Sequence, residues 1–164
     1  MVLFPDELHI SKSLQKILNK QIHQITCDQN FSAVISACAN QRNKNRDGTW
    51  ITQEMQQAYI SLHESGWAHS IEVWQDNELV GGLYGIAIGE IFFGESMFSI
   101  RDNASKIAFV RLVQSLKQQG YRLIDCQVSS EHLTSLGARE IKREDFMRHL
   151  STSIDTIPKD AFSV

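Results

Sequence analysis

Two short strings, Gly94-Glu95-Ser96-Met97-Phe98-Ser99 and Asp125-Cys126-Gln127, place polar side chains inside segments that otherwise read as buried strands. A polar group buried without a hydrogen bond costs about 1 to 3 kcal/mol, so such residues need partners. Asp125 and Gln127 are two apart, which on an extended strand puts both on one face and Cys126 on the other. A carboxylate and a carboxamide side by side can hold a bound polar group. The same pair can equally join two strands as a structural network, and Glu95 alone can be a paired core carboxylate. The residues by themselves leave both readings open.

The elements that position these strings are bounded by composition. At 164 residues, with 42% hydrophobic and 21% charged residues, the chain reads as one ordinary globular domain with a sizeable core. No apolar run reaches the length of a membrane span. Met1 to Glu7 lacks the basic-then-apolar pattern of a secretory signal, so a cytoplasmic address is expected. Cys27, Cys38 and Cys126 lack metal-ligand spacing and read as reduced core thiols. The net charge of -3 hides an acidic middle third, where residues 51 to 104 hold one Arg against eight acids. In the basic first third, Lys12, Lys16 and Lys20 recur every fourth residue and line one side of a helix. Such a stripe is either a solvated face or a row of phosphate contacts.

Periodicity predicts alternating helices and strands. Ile10 to Asn19 reads as a helix capped by Ser11, and Ile22 to Cys27 as a strand. Phe31, Val34, Ile35 and Cys38 keep amphipathic helical spacing before a polar loop from Gln41 to Gly48. Thr52 caps a helix ending near Gly66. Three strands follow as a meander, Ala68 to Trp74, Glu78 to Ile88 and Glu90 to Phe98, with Gln75-Asp76-Asn77 as the first turn. A deeply packed helix is predicted from an Asn103 cap to Gln119, then a strand from Tyr121 to Val128 and a short helix through Glu131 to Leu136. Arg139 to Lys142 reads as a last strand, followed by a helix ending near Ser151 and a loose tail after about residue 152. This order implies an α/β (α+β) fold with a mixed central sheet flanked by helices, the order also found in the GNAT acyltransferase fold.

Seven motifs occur in one order: Gly48-Thr49-Trp50-Ile51-Thr52, His69-Ser70-Ile71-Glu72-Val73-Trp74, Leu79-Val80-Gly81-Gly82-Leu83-Tyr84-Gly85, Gly94 to Ser99, Asn103-Ala104-Ser105-Lys106, Asp125-Cys126-Gln127 and Ser135-Leu136-Gly137-Ala138. Together they resemble the leucyl/phenylalanyl-tRNA-protein transferase family, from about Phe4 to about Leu150. The resemblance implies a single GNAT-like domain over 1–164. The implied activity moves Leu or Phe, and less readily Met, from an aminoacyl-tRNA to the N-terminal Arg or Lys of a protein, marking it for N-end rule degradation. It implies Gln127, Asp125 and Glu95 as the catalytic group, with Gln127 accepting from the attacking amine, Asp125 orienting it from the same strand face, and Glu95 holding the peptide's amino end. Leu83, Phe92, Phe109, Leu112 and Ile124 match the aminoacyl pocket. Trp50, Tyr59 and Ser130 match adenosine or peptide contacts, and Lys12, Lys16 and Lys20, with Arg42, Lys44 and Arg46 as weaker candidates, the tRNA contacts. No metal or other cofactor is implied, and a monomer is expected. No Gln/Arg-x-x-Gly-x-Gly/Ala loop, which acetyltransferases use for pyrophosphate, lies between Phe93 and Asn103.

Family members ordinarily carry a further N-terminal segment with a Trp-Trp-Ser-Pro-type motif, so the chain is expected to be a fragment or a shortened member. The alternative is a GNAT-like module that binds tRNA or a peptide without transfer. A small-molecule acetyltransferase is disfavoured by the missing loop.

Overall fold

The computed structural model describes residues 1–44 and 49–156, with the side chains of 42–44 left aside. After strand β1 (Val2–Leu3) and a short 3-10 turn, helix α1 spans Lys12–Asn19. Ser11 starts it, its Oγ accepting the Leu14 N–H at 3.2 Å. Leu14 is buried while Lys12, Lys16 and Lys20 are exposed, so the apolar side of this helix faces the core and the lysines face solvent. Strand β2 (Gln24–Cys27) leads to α2 (Phe31–Lys44), capped where Asn30 Oδ1 accepts from Ala33 N at 3.2 Å. Helix α3 (Gln53–Glu64) begins with Thr52 Oγ1 accepting from Met55 N at 3.3 Å.

The meander is β3 (Ala68–Gln75), β4 (Glu78–Ile88) and β5 (Ile91–Ser99). Asp76 and Asn77 have φ of 52° and 62°, the left-handed pair that a two-residue hairpin turn requires. Helix α4 (Ala104–Gln118) then crosses to β6 (Leu123–Asp125), followed by α5 (Glu131–Thr134) and α6 (Arg143–Ser153). The strands form one sheet in the order β1-β6-β5-β4-β3-β2, antiparallel throughout except for the parallel pair β5 and β6. A parallel pair needs a crossover, and α4 supplies it.

Helix α4 covers one face of the sheet with Leu14 of α1 in the same core, which includes Leu83, Phe92 and Ile124. Helices α2 and α3 cover the other, packing Val34, Ile35 and Tyr59 on Tyr84 and Phe98. Helix α6 closes the β1 side, where Phe146 and Leu150 meet Ile91 and Leu123. The start of α4 lies so close to β4 that a Cβ on Gly81 would sit 2.5 Å from the Ala104 Cβ. Glycine is needed there for space.

Four expectations change. Helix α2 continues through Lys44, because none of residues 41–44 is a Gly or Pro that would stop it; residues 45–48 of the expected loop lie outside the described residues. The strand expected from Tyr121 to Val128 is only Leu123–Asp125. The strand expected from Arg139 to Lys142 reduces to a single bridge, Arg139 exchanging two 2.8 Å hydrogen bonds with Val2. Helix α6 runs to Ser153, and most of the expected loose tail, 157–164, lies outside the described residues.

Candidate functional site

Strands β5 and β6 pair at Ile91 with Leu123, Phe92 with Ile124 and Phe93 with Asp125, and there the pairing stops. β5 continues to Ser99, while the chain after Asp125 turns away. The wedge between them opens a cavity of about 630 Å³. It lies beyond the carboxyl ends of the paired segments, where open α/β sheets commonly bind ligands.

A β-bulge shapes the wedge. Tyr84 of β4 pairs with Ser96 and Gly85 pairs with Gly94, which leaves Glu95 as the extra, unpaired residue of β5. Bulges bend a strand and re-aim side chains, and this one puts Glu95 on the cavity wall. The Tyr59 hydroxyl of α3 donates to its carboxylate; burial first, and then that carboxylate, push the phenol above its usual range. Tyr59 is 8% exposed and packs edge-on against Tyr84, with ring centroids 5.2 Å apart.

Asp125 and Gln127 do not share a strand face. Gln127 has φ of 57°, which takes it out of the strand, and its N–H donates to Asp125 Oδ1 at 2.8 Å. The carboxylate therefore closes a tight turn that holds Gln127 at the cavity, correcting the expectation of a regular strand through Val128. The left-handed region costs an ordinary L-residue about 1 to 2 kcal/mol. Strain of this kind persists where surrounding structure enforces it, often at functional sites.

The cavity wall divides by chemistry. On the α4 side it is apolar, lined by Leu83, Phe92, Met97, Phe109, Leu112 and Ile124, and these belong to or pack on the core around α4. On the α2 and α3 side lie Tyr84, Ser96 and Phe98, with Gln41 holding Ser99 through a 2.8 Å bond from Ser99 N to Gln41 Oε1. Glu95 and Asp125 are the carboxylates of the lining, and no Lys or Arg is among the described lining residues. Trp50 lines the mouth at 41% exposure, its ring 6.4 Å from that of Tyr59. Ser130 also lines the cavity while its Oγ caps α5, accepting from Leu133 N at 3.2 Å.

Ten of the expected site residues thus meet at one cavity: Glu95, Asp125, Gln127, the five apolar positions, Trp50 and Ser130. Tyr59 does not line it and acts on it through Glu95. Lys12, Lys16 and Lys20 lie on or at the end of α1, apart from the cavity lining. Arg46 is outside the described residues.

Sequence reasoning did not single out Gln41, Val128 or His132, which also line the cavity. For His132 the available signal was a histidine closely following the Asp-Cys-Gln string. Burial, and then the nearby Lys106, lower its pKa and favour the neutral ring. The Cys126 thiol is pushed up to about 12 by burial and then by Asp125, so it is no nucleophile near neutrality. Among the described residues no disulfide forms, no group of His, Cys, Asp and Glu could hold a metal ion, and no helix is long and apolar enough to cross a membrane.

A sequence profile described as leucyl/phenylalanyl-tRNA protein transferase matches residues 2–151. A leucyl/phenylalanyl-tRNA–protein transferase of Pseudomonas fluorescens is 59% identical over 154 residues, covering 94% of this chain and 68% of its own length. The same-named protein of Azotobacter vinelandii is 56% identical with the same coverage, and that of Pseudomonas aeruginosa is 57% identical over 157 residues, 96% of this chain and 69% of its own. Among solved structures, a predicted acetyltransferase of Clostridium acetobutylicum, solved with acetyl-CoA, aligns at TM-score 0.58 and 12% identity over 74% of this chain and 92% of its own. A conserved protein of unknown function from Bacteroides thetaiotaomicron aligns at TM-score 0.60 and 12% identity, over 86% of this chain and 55% of its own. At such identities the structural matches establish the GNAT-like fold alone.

Proposed function

The chain belongs to the leucyl/phenylalanyl-tRNA protein transferase family of aminoacyltransferases, and from that premise we propose that the β5/β6 cavity is its transfer centre. The substrates in this reading are Leu or Phe, less readily Met, esterified to tRNA, and a protein with N-terminal Arg or Lys, which the transfer marks for N-end rule degradation. In this reading residues 1–164 form one GNAT-like domain that carries the transfer centre and acts as a monomer in the cytoplasm, where charged tRNA is present. A single observation carries the reading: one cavity joins an apolar wall on the α4 side to two carboxylates, with no cation among the described lining residues.

The aminoacyl ester arrives activated. An α-amine has an ordinary pKa of about 7.7 to 8.0, so a useful fraction is neutral near pH 7 without a strong base. Its nitrogen attacks the ester carbonyl carbon and forms the C–N bond. As the tetrahedral intermediate collapses, the bond to the ribose oxygen breaks and the proton lost by nitrogen ends on that oxygen. The protein's part is to align the two reactants and stabilise the developing charge. Gln127 offers its side-chain oxygen to the amine, and Asp125 fixes Gln127 through the turn amide. Glu95, steadied by Tyr59, attracts the cationic end of the acceptor. The acyl side chain occupies the apolar lobe, and Trp50 stacks the terminal base, a contact worth about 1 to 3 kcal/mol.

The direct test incubates the chain with labelled Leu-tRNA or Phe-tRNA and a protein beginning with Arg. Transfer is expected, falling strongly in Glu95→Ala and Asp125→Ala while tRNA binding holds. Undiminished transfer in both variants would sink this site; transfer that appears only once a relative's N-terminal segment is joined to the chain would mark a fragment, and tRNA binding with no transfer even then would favour a binding module.

The lysine stripe makes a separate prediction. Changing Lys12, Lys16 and Lys20 together to Ala should weaken tRNA binding and reduce the slope of log affinity against log salt by about 2 to 3, since each phosphate contact contributes about 0.7 to 0.9. Transfer at saturating tRNA should change little. A salt slope equal to that of the unaltered chain would remove α1 from the tRNA interface.

A further inference from the structure

We propose that Gly85 sets the depth of the apolar lobe by seating the Phe92 ring, and so determines how the protein discriminates aromatic from aliphatic acyl groups. The proposal rests on the reading that this lobe receives the acyl side chain.

Gly85 lies on β4 two residues after Leu83 and two before Ala87, on the face covered by α4. It pairs with Gly94 beside the Glu95 bulge. Its backbone is not in the left-handed region, so glycine is not demanded here by conformation. Space demands it. A Cβ on Gly85 would lie 2.5 Å from Cε1 and 2.6 Å from Cζ of Phe92, and 2.3 Å from the Phe93 carbonyl oxygen. The edge of the Phe92 ring therefore occupies the volume that a side chain at position 85 would fill. Phe92 is buried at 0% exposure and lines the apolar lobe together with Leu83, Phe109, Leu112 and Ile124. A ring resting on a bare backbone lies as low as the sheet allows, and the space left above it is what an acyl group can use. A substituent at position 85 displaces that ring from its seat as well as pressing on the Phe93 carbonyl, and a ring moved off the sheet makes the lobe shallower.

A difference of one methylene in an apolar pocket changes selectivity by about 10- to 200-fold. In competition assays with Phe-tRNA and Leu-tRNA, Gly85→Ala should therefore lower the Phe/Leu ratio of kcat/KM by about 10-fold or more. Phe92→Leu, which removes the ring and deepens the lobe, should raise that ratio. Gly85→Ala combined with Phe92→Leu should bring it back toward the starting value, incompletely because the contact with the Phe93 carbonyl remains. Leu112→Phe, which narrows the lobe from the α4 side, separates the two ways of failing. If Leu112→Phe lowers the ratio but folded Gly85→Ala does not, the Gly85 proposal is overturned while the lobe assignment stands. If Leu112→Phe, Phe92→Leu and Gly85→Ala all leave the ratio unchanged, the lobe assignment falls with it. Should Gly85→Ala not fold on its own, it is read in the Phe92→Leu background: a Phe/Leu ratio below that of Phe92→Leu alone supports the proposal, and an equal ratio overturns it.

Discussion

Gln127→Ala is expected to lower single-turnover transfer by about 100-fold or more, with aminoacyl-tRNA affinity held within about twofold, as for loss of one preorganised polar group at a reacting centre. The expectation follows from what the backbone does at this residue. Gln127 sits at φ of 57° with its N–H bound to Asp125 Oδ1 at 2.8 Å, in a turn at the edge of the cavity. Glycine would occupy that turn without the cost of about 1 to 2 kcal/mol borne by a side chain. A residue kept for stability alone would be glycine or asparagine.

Gln127→Gly therefore separates folding from chemistry. Its thermal midpoint should equal or exceed that of the unaltered chain, because the relieved strain offsets the added freedom of the unfolded glycine, about 0.5 to 1 kcal/mol. Its transfer should be as low as that of the alanine variant. Asp125→Asn retains an oxygen able to accept from the Gln127 amide and should keep more transfer than Asp125→Ala. Thermal midpoints, tRNA binding and single-turnover transfer measured on the same preparations check all of these. Gln127→Gly retaining more than about a tenth of the transfer rate would show that the amide is dispensable, well short of the loss expected on removing a preorganised group.

The parts of this molecule that repeat at short range were legible in its sequence. The bounds of β4 coincide with the alternation from Glu78 to Ile88, Ser11 and Thr52 cap the helices they were expected to cap, and the lysine stripe lies on the solvent side of α1. The mixed sheet and buried crossover helix followed from element order. What was hidden depends on two segments meeting. Nothing local in Gly94-Glu95-Ser96 says that β4 pairs on either side of Glu95 and leaves it out, since a bulge is a property of the register between two strands. The turn at Gln127 was hidden for a related reason: Asp-Cys-Gln in an apolar setting has the period of a strand, and only the side-chain bond from Asp125 marks it as a turn. The Tyr59 hydroxyl donating to Glu95 is another pairing between distant segments, α3 and β5, that spacing cannot show.

His69-Ser70-Ile71-Glu72-Val73-Trp74 also contains a group that spacing could not reveal, and it supports the largest expected loss of stability. Glu72→Ala should destabilise the fold by about 3 to 5 kcal/mol, since it leaves several buried donors without their acceptor at about 1 to 3 kcal/mol each. The Glu72 carboxylate is 0% exposed and accepts from Thr26 Oγ1 at 2.5 Å, Ser70 Oγ at 2.5 Å and Asn30 N at 3.4 Å. Trp74 Nε1 donates in turn to Thr26 Oγ1 at 2.8 Å. These bonds join β2, β3 and the amino end of α2. Removing the carboxylate leaves Thr26 Oγ1, Ser70 Oγ and Asn30 N without this acceptor and opens a void between strand and helix. Glu72→Gln keeps the volume and one acceptor oxygen, so its loss should be smaller, about 1 to 3 kcal/mol. For a chain of this size each kcal/mol moves the thermal midpoint by about 2 to 4 °C, which puts the alanine variant about 6 to 20 °C below the unaltered chain. Glu72 does not line the cavity, so transfer measured well below the midpoint should stay close to that of the unaltered chain. A midpoint within about 2 °C, or transfer lost while the fold persists, would contradict a purely structural role for this carboxylate.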